Sequence, residues 1–269
     1  MSFTARLRAA QAATRSRVCV GLDPDPARLP QPLRGRPLAE AVLAFNRAII
    51  EATADVACAY KPNLAFYEAL GADGWRVFEQ TVRAVPGDRL VIADAKRGDI
   101  GNTARMYAHA FYERAEADAV TVSPYMGSES ITPFLETEGR CAFALVATSN
   151  PSGAEVQDLV AGGEPVYRYA ARLAVEAAAD RPGEAGFVVG ATRPALLVEL
   201  RAAYPEVPFL VPGVGAQGGD AVAVVDAAGA GPLLVSSSRG ILYASDGEDF
   251  AEAARHAALG LRDALGISA

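Results

Sequence analysis

The sequence predicts an α/β fold, specifically a (β/α)8 TIM barrel, on three observations. Short, near-continuous apolar runs recur eight times along the chain. Longer amphipathic stretches separate them. No Gly/Ser/Pro-rich linker divides the 269 residues. Apolar runs of about 4–8 residues without alternation mark strands buried on both faces, as in parallel sheets covered by helices. Two domains of about 130 residues would also suit the length. The unbroken rhythm favours one barrel over residues 1–269, with a short N-terminal helix. An open doubly wound sheet with a dinucleotide site is the alternative. Its GxGxxG fingerprint is missing, because the first run leads into Gly21-Leu22-Asp23-Pro24.

The elements follow in order. The opening MSFTARLRAAQAATRSR has four arginines and no acidic residue, a bias shared with transit peptides. Phe3, Leu7 and Ala10 lie at helical spacing, however, and an apolar run starts at Val18, so a short amphipathic helix covering one end of the fold is expected. The strand runs are 17–22, 55–61, 88–94, 117–123, 141–147, 185–191, 207–213 and 232–238. Helices are expected over Leu38–Thr53, Gly74–Val85, Asn102–Glu116, Ser128–Glu138, Pro165–Ala179, Arg193–Ala203, Gly219–Ala228 and Asp249–Leu265. Leu38, Val42, Phe45 and Ile49 give the first of these its apolar face. Pro165 and Pro194 fall near helix starts, where a missing N–H costs little. The Pro/Arg-rich stretch Ala27–Pro37 reads as a surface loop.

Composition narrows the function. Hydrophobic residues make up 51% and charged residues 21%, a globular balance. The net charge of −7 argues against binding a nucleic acid polymer, which needs a basic face. A small anionic substrate needs only a few placed cations. Cys19, Cys58 and Cys141 are odd in number, form no CxxC, and accompany only His109 and His256. No disulfide framework or zinc site is expected, and a reducing, cytoplasmic compartment fits. No apolar run approaches the roughly 18 residues of a membrane span.

Barrels carry their chemistry at the C-terminal ends of the strands. The first run ends in Asp23, the second in Lys61, and the third in Asp94, followed by Lys96 and Asp99. The fifth ends in Thr148-Ser149-Asn150. The seventh opens into a Gly-rich loop containing Gln217 and Gly218, and the eighth ends in Ser238-Arg239-Gly240. Singly, each has a plain reading: Asp23 and Ser149 as turn residues, Lys61 as a solvated strand end. Together they place two lysines and three acids at one mouth, opposite a Gly-rich loop and an arginine suited to phosphate. On an extended strand, Asp94 and Lys96 point to the same side. Such an acid–base array, with Lys61 extending it, can repel a substrate carboxylate and deliver a proton to a carbanion. The competing reading is an ordinary ion-pair network at the barrel rim.

The run Asp94-Ala95-Lys96-Arg97-Gly98-Asp99-Ile100, continuing Gly101-Asn102-Thr103, resembles the Asp-x-Lys-x-x-Asp signature of the orotidine 5′-phosphate decarboxylase family, in its longer-chain bacterial subgroup. Supporting matches are VGLDPD (20–25), YKPN (60–63), ATSNPS (147–152), VPGVGAQGGD (211–220) and SSRGILYA (237–244). The resemblance implies decarboxylation of orotidine monophosphate to uridine monophosphate with no cofactor and no metal, by a homodimer with shared sites. It gives Asp23 and Lys61 to the ribose, Asp94 to the substrate carboxylate and Lys96 to protonation of C6. Asp99, Ile100 and Thr103 would reach the partner's site. Ser149 would bind the pyrimidine, with Thr148 and Ser152 as competitors. Gln217, Arg239 and backbone near Gly218 and Gly240 would hold the phosphate. Two rivals remain: a magnesium-dependent sugar-phosphate barrel, such as a hexulose-phosphate synthase, and a nucleotide-binding protein on an inactive barrel.

Overall fold

A computed structural model describes residues 1–215 and 218–266. Each apolar run supplies one strand of a closed parallel barrel. In chain order these are β1 Val18–Leu22, β2 Ala59–Pro62, β3 Leu90–Arg97, β4 Ala119–Val122, β5 Cys141–Ala147, β6 Glu184–Val189, β7 Phe209–Pro212 and β8 Leu233–Ser237. Neighbours in the barrel are also neighbours in the chain, and β8 closes on β1 through the Val18↔Val235 register.

The alternation of side chains explains why the runs are apolar throughout. Cys19, Ile92, Ala119, Phe143, Leu210 and Leu234 fill the barrel interior. Their sequence neighbours Val18, Val91, Val120, Phe209 and Val235 pack outward against the helices. With both faces buried, a polar residue within a run stands out as a candidate for function.

The N-terminal segment forms helix α1, Phe3–Thr14, which plugs the bottom of the barrel. Phe3, Leu7 and Ala10 join the interior cluster, and Phe3 meets Phe143 edge-on at 5.7 Å. Arg6 ties the helix to Asp118 at 2.6 Å, and Arg140 reaches the same carboxylate at 3.0 Å.

The outer helices are α2 Leu38–Thr53, α3 Gly74–Ala84, α4 Gly101–His109, α5 Val166–Ala178, α6 Pro194–Ala203, α7 Ala221–Ala228 and α8 Phe250–Leu265. Pro194 occupies the first turn of α6, and Pro165 stands just before α5. A π turn, Ala110–Arg114, extends α4.

The helix expected over Ser128–Glu138 is instead a chain of 3-10 turns, Ser128–Ser130 and Thr132–Leu135. Gly127 before it sits at φ +87°, and Pro133 within it cannot donate to a helical ladder. Its apolar residues Ile131, Phe134 and Leu135 are buried all the same. The Pro/Arg-rich loop holds two 3-10 turns, Pro26–Arg28 and Gln31–Leu33, and buries Leu29 and Leu33. A two-stranded hairpin pairs Val160–Ala161 with Glu164–Pro165.

Arg201 of α6 staples the lower rim near β7 and β8. Its guanidinium, on a residue only 8% exposed, donates to the carbonyls of Ala228, Tyr204, Pro205, Val207 and Pro232 and lies 3.7 Å from the Phe209 ring centre.

Candidate active site

The C-terminal mouth of the barrel holds a cavity of about 330 Å³. Its apolar floor is Leu145, Val188 and Leu210, the top layer of the interior packing. Asp23, Lys61, Asp94, Lys96, Ser149 and Arg239, all singled out from the sequence, line it.

The carboxylate of Asp94 stands in the cavity wall between two lysines. Lys61 Nζ donates to its Oδ2 at 2.8 Å, and Lys96 Nζ donates to its Oδ1 at 2.6 Å. Burial alone would raise the Asp94 carboxyl. The two ammonium groups outweigh that and hold it well below the usual carboxylate range. Lys61 is 5% exposed. Burial alone would lower its pKa, but the carboxylates of Asp94 and Asp23 raise it above the ordinary lysine value. Both groups are therefore charged at neutral pH. Of the 25 basic residues in the chain, Lys61 and Lys96 are the only lysines.

The way β3 delivers Lys96 differs from the extended strand read in the sequence. Lys96 has φ +49°, left-handed and uncommon for a side-chain-bearing residue. Pairing with β4 moves from Ala93↔Val120 to Arg97↔Val122, so four steps along β3 match two along β4. This bulge lifts the Lys96 side chain into the mouth and still leaves its ammonium on Asp94.

Asp23 follows β1. Its Oδ1 is buried and has no hydrogen-bond partner among the described residues, an acceptor placed for a donor hydroxyl. The Tyr243 hydroxyl sets this turn by donating to the Asp23 carbonyl at 2.8 Å and accepting from the Asp25 amide at 2.7 Å. Two glycines make the rim possible. A Cβ on Gly21 would meet Ser238 Oγ at 1.9 Å, and one on Gly190 would meet the Ser149 backbone at 2.7 Å. Ser149, Thr148 and Asn150 all line the cavity, whereas Ser152 is not among its walls.

Not every expected residue arrives there. Asp99, Ile100 and Thr103 do not line this cavity, so Asp99 does not join the Asp94–Lys96 pair within its own chain. Asp99 Oδ1 accepts from the Ile100 amide, and Ile100 is 49% exposed at the start of α4. Gly218 and Gly240 are likewise outside the lining, while Gln217 lies outside the described residues. Arg239 makes no ion pair among the described residues and is exposed at the rim.

Sequence reading missed Thr121 and Asn63, both in the lining. A signal for Thr121 existed: it is polar, within an apolar run, two residues beyond the inward-facing Ala119. Cys19 is a core thiol. Burial pushes it up to about 12, far from a working nucleophile. Among the described residues no group of three or more His, Cys, Asp or Glu is arranged to hold a metal ion. Also among them, no helix is long and apolar enough to cross a membrane.

The profile of the orotidine 5′-phosphate decarboxylase / HUMPS family matches residues 16–254. The chain belongs to this family. It is 50% identical over 257 residues to the orotidine 5′-phosphate decarboxylase of Herpetosiphon aurantiacus, covering 95% of each chain. It is 49% identical over 269 residues to the protein of that name from Roseiflexus castenholzii, covering 98% of this chain and 97% of the other. The solved OMP decarboxylase of Leishmania donovani superposes with a TM-score of 0.82 at 38% identity, covering 98% of this chain and 100% of that one. The Asp94–Lys96–Asp99 motif and the strand ends that carry the cavity fall inside the segment matched to the orotidine 5′-phosphate decarboxylase / HUMPS family.

Proposed function

We propose that this chain converts orotidine 5′-monophosphate to uridine 5′-monophosphate and CO2, the last step of de novo pyrimidine synthesis. The observation that carries the reading is one buried carboxylate, Asp94, held between the chain's two lysines in the wall of the cavity. Relatives near 50% identity over almost the whole chain bear the name of that activity.

The chemistry suits the arrangement. The bond from C6 to the carboxylate breaks, CO2 leaves, and the electron pair stays on C6. Lys96 then gives a proton to C6 and recovers one from solvent. A localised sp2 carbanion needs charge arranged beforehand, and a fixed ammonium 2.6 Å from its own carboxylate is so arranged. Asp94 would face the leaving carboxylate, and part of the acceleration would come from the array being set before substrate arrives. Asp23 and Lys61 take the ribose hydroxyls. The orphan Oδ1 of Asp23 supports this, since a hydroxyl donor would satisfy it. Ser149 takes the pyrimidine, and Arg239 with Gln217 and backbone near Gly218 and Gly240 takes the phosphate. Phosphate binding lies away from C6, so its energy is available for loop closure.

We assign Asp99, Ile100 and Thr103 to the site of a second copy in a homodimer. The support is that they do not line their own cavity, while Ile100 itself and Met106 of α4 are exposed apolar side chains. The proposed compartment is the cytoplasm, in keeping with three free, buried cysteines.

A direct assay tests the reaction: loss of the orotidine monophosphate absorbance, followed with excess EDTA present. Turnover that survives chelation is expected. Complete loss on chelation would overturn the metal-free route, and no turnover with or without added magnesium would overturn the reaction itself.

A further inference from the structure

Thr121 is 1% exposed, sits on β4 next to the β3 bulge, and has no part in the chemistry described above. Its hydroxyl makes two contacts. The Lys96 amide approaches Oγ1 at 2.9 Å, and Oγ1 lies 3.0 Å from Asp94 Oδ1. The direction of both bonds follows from chemistry. A backbone N–H can only donate, so Oγ1 accepts there and its single proton goes to the carboxylate. Lys96 Nζ donates to the same Oδ1 at 2.6 Å. A closed ring results: Lys96 amide to Thr121 hydroxyl, hydroxyl to Asp94, and Asp94 back to the Lys96 ammonium.

We propose that Thr121 is a positioning residue for the decarboxylation, whose hydroxyl holds Lys96 in its left-handed backbone conformation and fixes Asp94 between the two lysines. The inference rests on the reaction proposed above. Without the hydroxyl, the left-handed backbone at Lys96 loses the contact that pins it, and Asp94 loses one of three donors. Lys61 and Lys96 would still bind the carboxylate, so the array would assemble, but with its proton donor less well aimed. Valine matches threonine in shape and lacks the hydroxyl. Serine keeps the hydroxyl and loses the methyl. The pair therefore separates hydrogen bonding from packing.

For Thr121→Val, kcat should fall roughly 10- to 100-fold while KM stays within about threefold, because a misplacement on the order of 1 Å at the reacting centre carries a penalty of that size. Thr121→Ser should keep kcat within about threefold of wild type. Thr121→Ala is a second hydroxyl-free variant and should show the same loss as valine if valine folds poorly. Amide hydrogen exchange gives a readout independent of turnover. The Lys96 amide should exchange about tenfold faster or more in Thr121→Val and unchanged in Thr121→Ser. The opposite ranking, with valine near wild type and serine impaired, would assign Thr121 to packing and overturn the proposal. Unaltered Lys96 exchange in folded Thr121→Val would also overturn it. A wild-type protein without turnover would instead refute the reaction, and the exchange data would still decide whether the hydroxyl holds the bulge.

Discussion

Replacing Asp94 by Asn removes the negative charge between two ammonium groups without changing side-chain shape. The amide oxygen can still accept from one lysine, but its NH2 end then faces the other, donor against donor. At contacts of 2.8 and 2.6 Å, Coulomb attraction at an effective dielectric near 20 is roughly 6 kcal/mol per pair before desolvation is counted. The two pairs do not count equally. The Lys96 side chain is 50% exposed, and water would solvate it once released, whereas that of Lys61 is 6% exposed and would be left as a buried, unpaired charge. Breaking a buried pair from one side typically costs about 3–5 kcal/mol. For a chain of this size that lowers Tm by roughly 6–20 °C, at about 2–4 °C per kcal/mol.

The loss should depend on pH. In wild type, Lys61 titrates above its ordinary value, so its contribution is complete below that value and persists until pH passes the raised one. In Asp94→Asn, burial acts against Lys61 with less opposition and its pKa falls. The penalty is then largest near neutrality and shrinks as pH approaches about 10, where the free lysine also deprotonates. On the acid side, Asp94 is held low and stabilises the folded state above the ordinary carboxylate range. Wild type loses that advantage as pH falls below about 4, while the variant has none to lose. Thermal unfolding followed by circular dichroism from pH 4 to 10 measures the gap between the two proteins. A gap independent of pH, or a variant melting at or above wild type at pH 7, would refute the assignment of stability to this array.

Three further outcomes are expected. Lys96→Ala should lose turnover by at least about 10²–10⁴-fold while still binding uridine monophosphate, measured by steady-state kinetics and calorimetry. A mixture of Lys96→Ala and Asp99→Ala chains should regain part of the activity through hybrid dimers carrying one intact site; demonstrated hybrids without recovery would return Asp99 to a local role. Arg201→Leu leaves five carbonyls short of a donor, two of them, those of Ala228 and Pro232, in buried bonds, and should destabilise the fold by about 3 kcal/mol or more in urea unfolding, with kcat unchanged in the folded fraction.

The barrel was legible because strands buried on both faces cannot hide their composition. Every run of the sequence found its strand, and α2 begins and ends where its periodicity does. The stretch 128–138 misled because Ile131, Phe134 and Leu135 keep helical spacing while Gly127 and Pro133 forbid the helix. The site was legible where a polar residue ended an apolar run, as at Asp23, Lys61 and Asp94. It was not legible where tertiary geometry decided the outcome. The left-handed turn at Lys96 and the hydroxyl of Thr121 that meets it depend on a bulge between two strands. Asp99 stands three residues from Lys96 in the chain, yet the start of α4 carries it out of the cavity.

The confinement of both lysines to one cavity makes the molecule unusual as an object for labelling. Apart from the chain terminus at Met1, every primary amine lies within one hydrogen bond of Asp94. Reductive methylation with isotope-enriched formaldehyde would place its side-chain reporters only in the cavity, where they would sense substrate analogues directly by NMR. Lys96, with its half-exposed side chain, would take the label first, and Lys61 would be shielded until the fold opens. Amine-directed crosslinkers and surface couplings would find no lysine on the outer wall of the barrel and would reach Lys96 only through the mouth of the cavity.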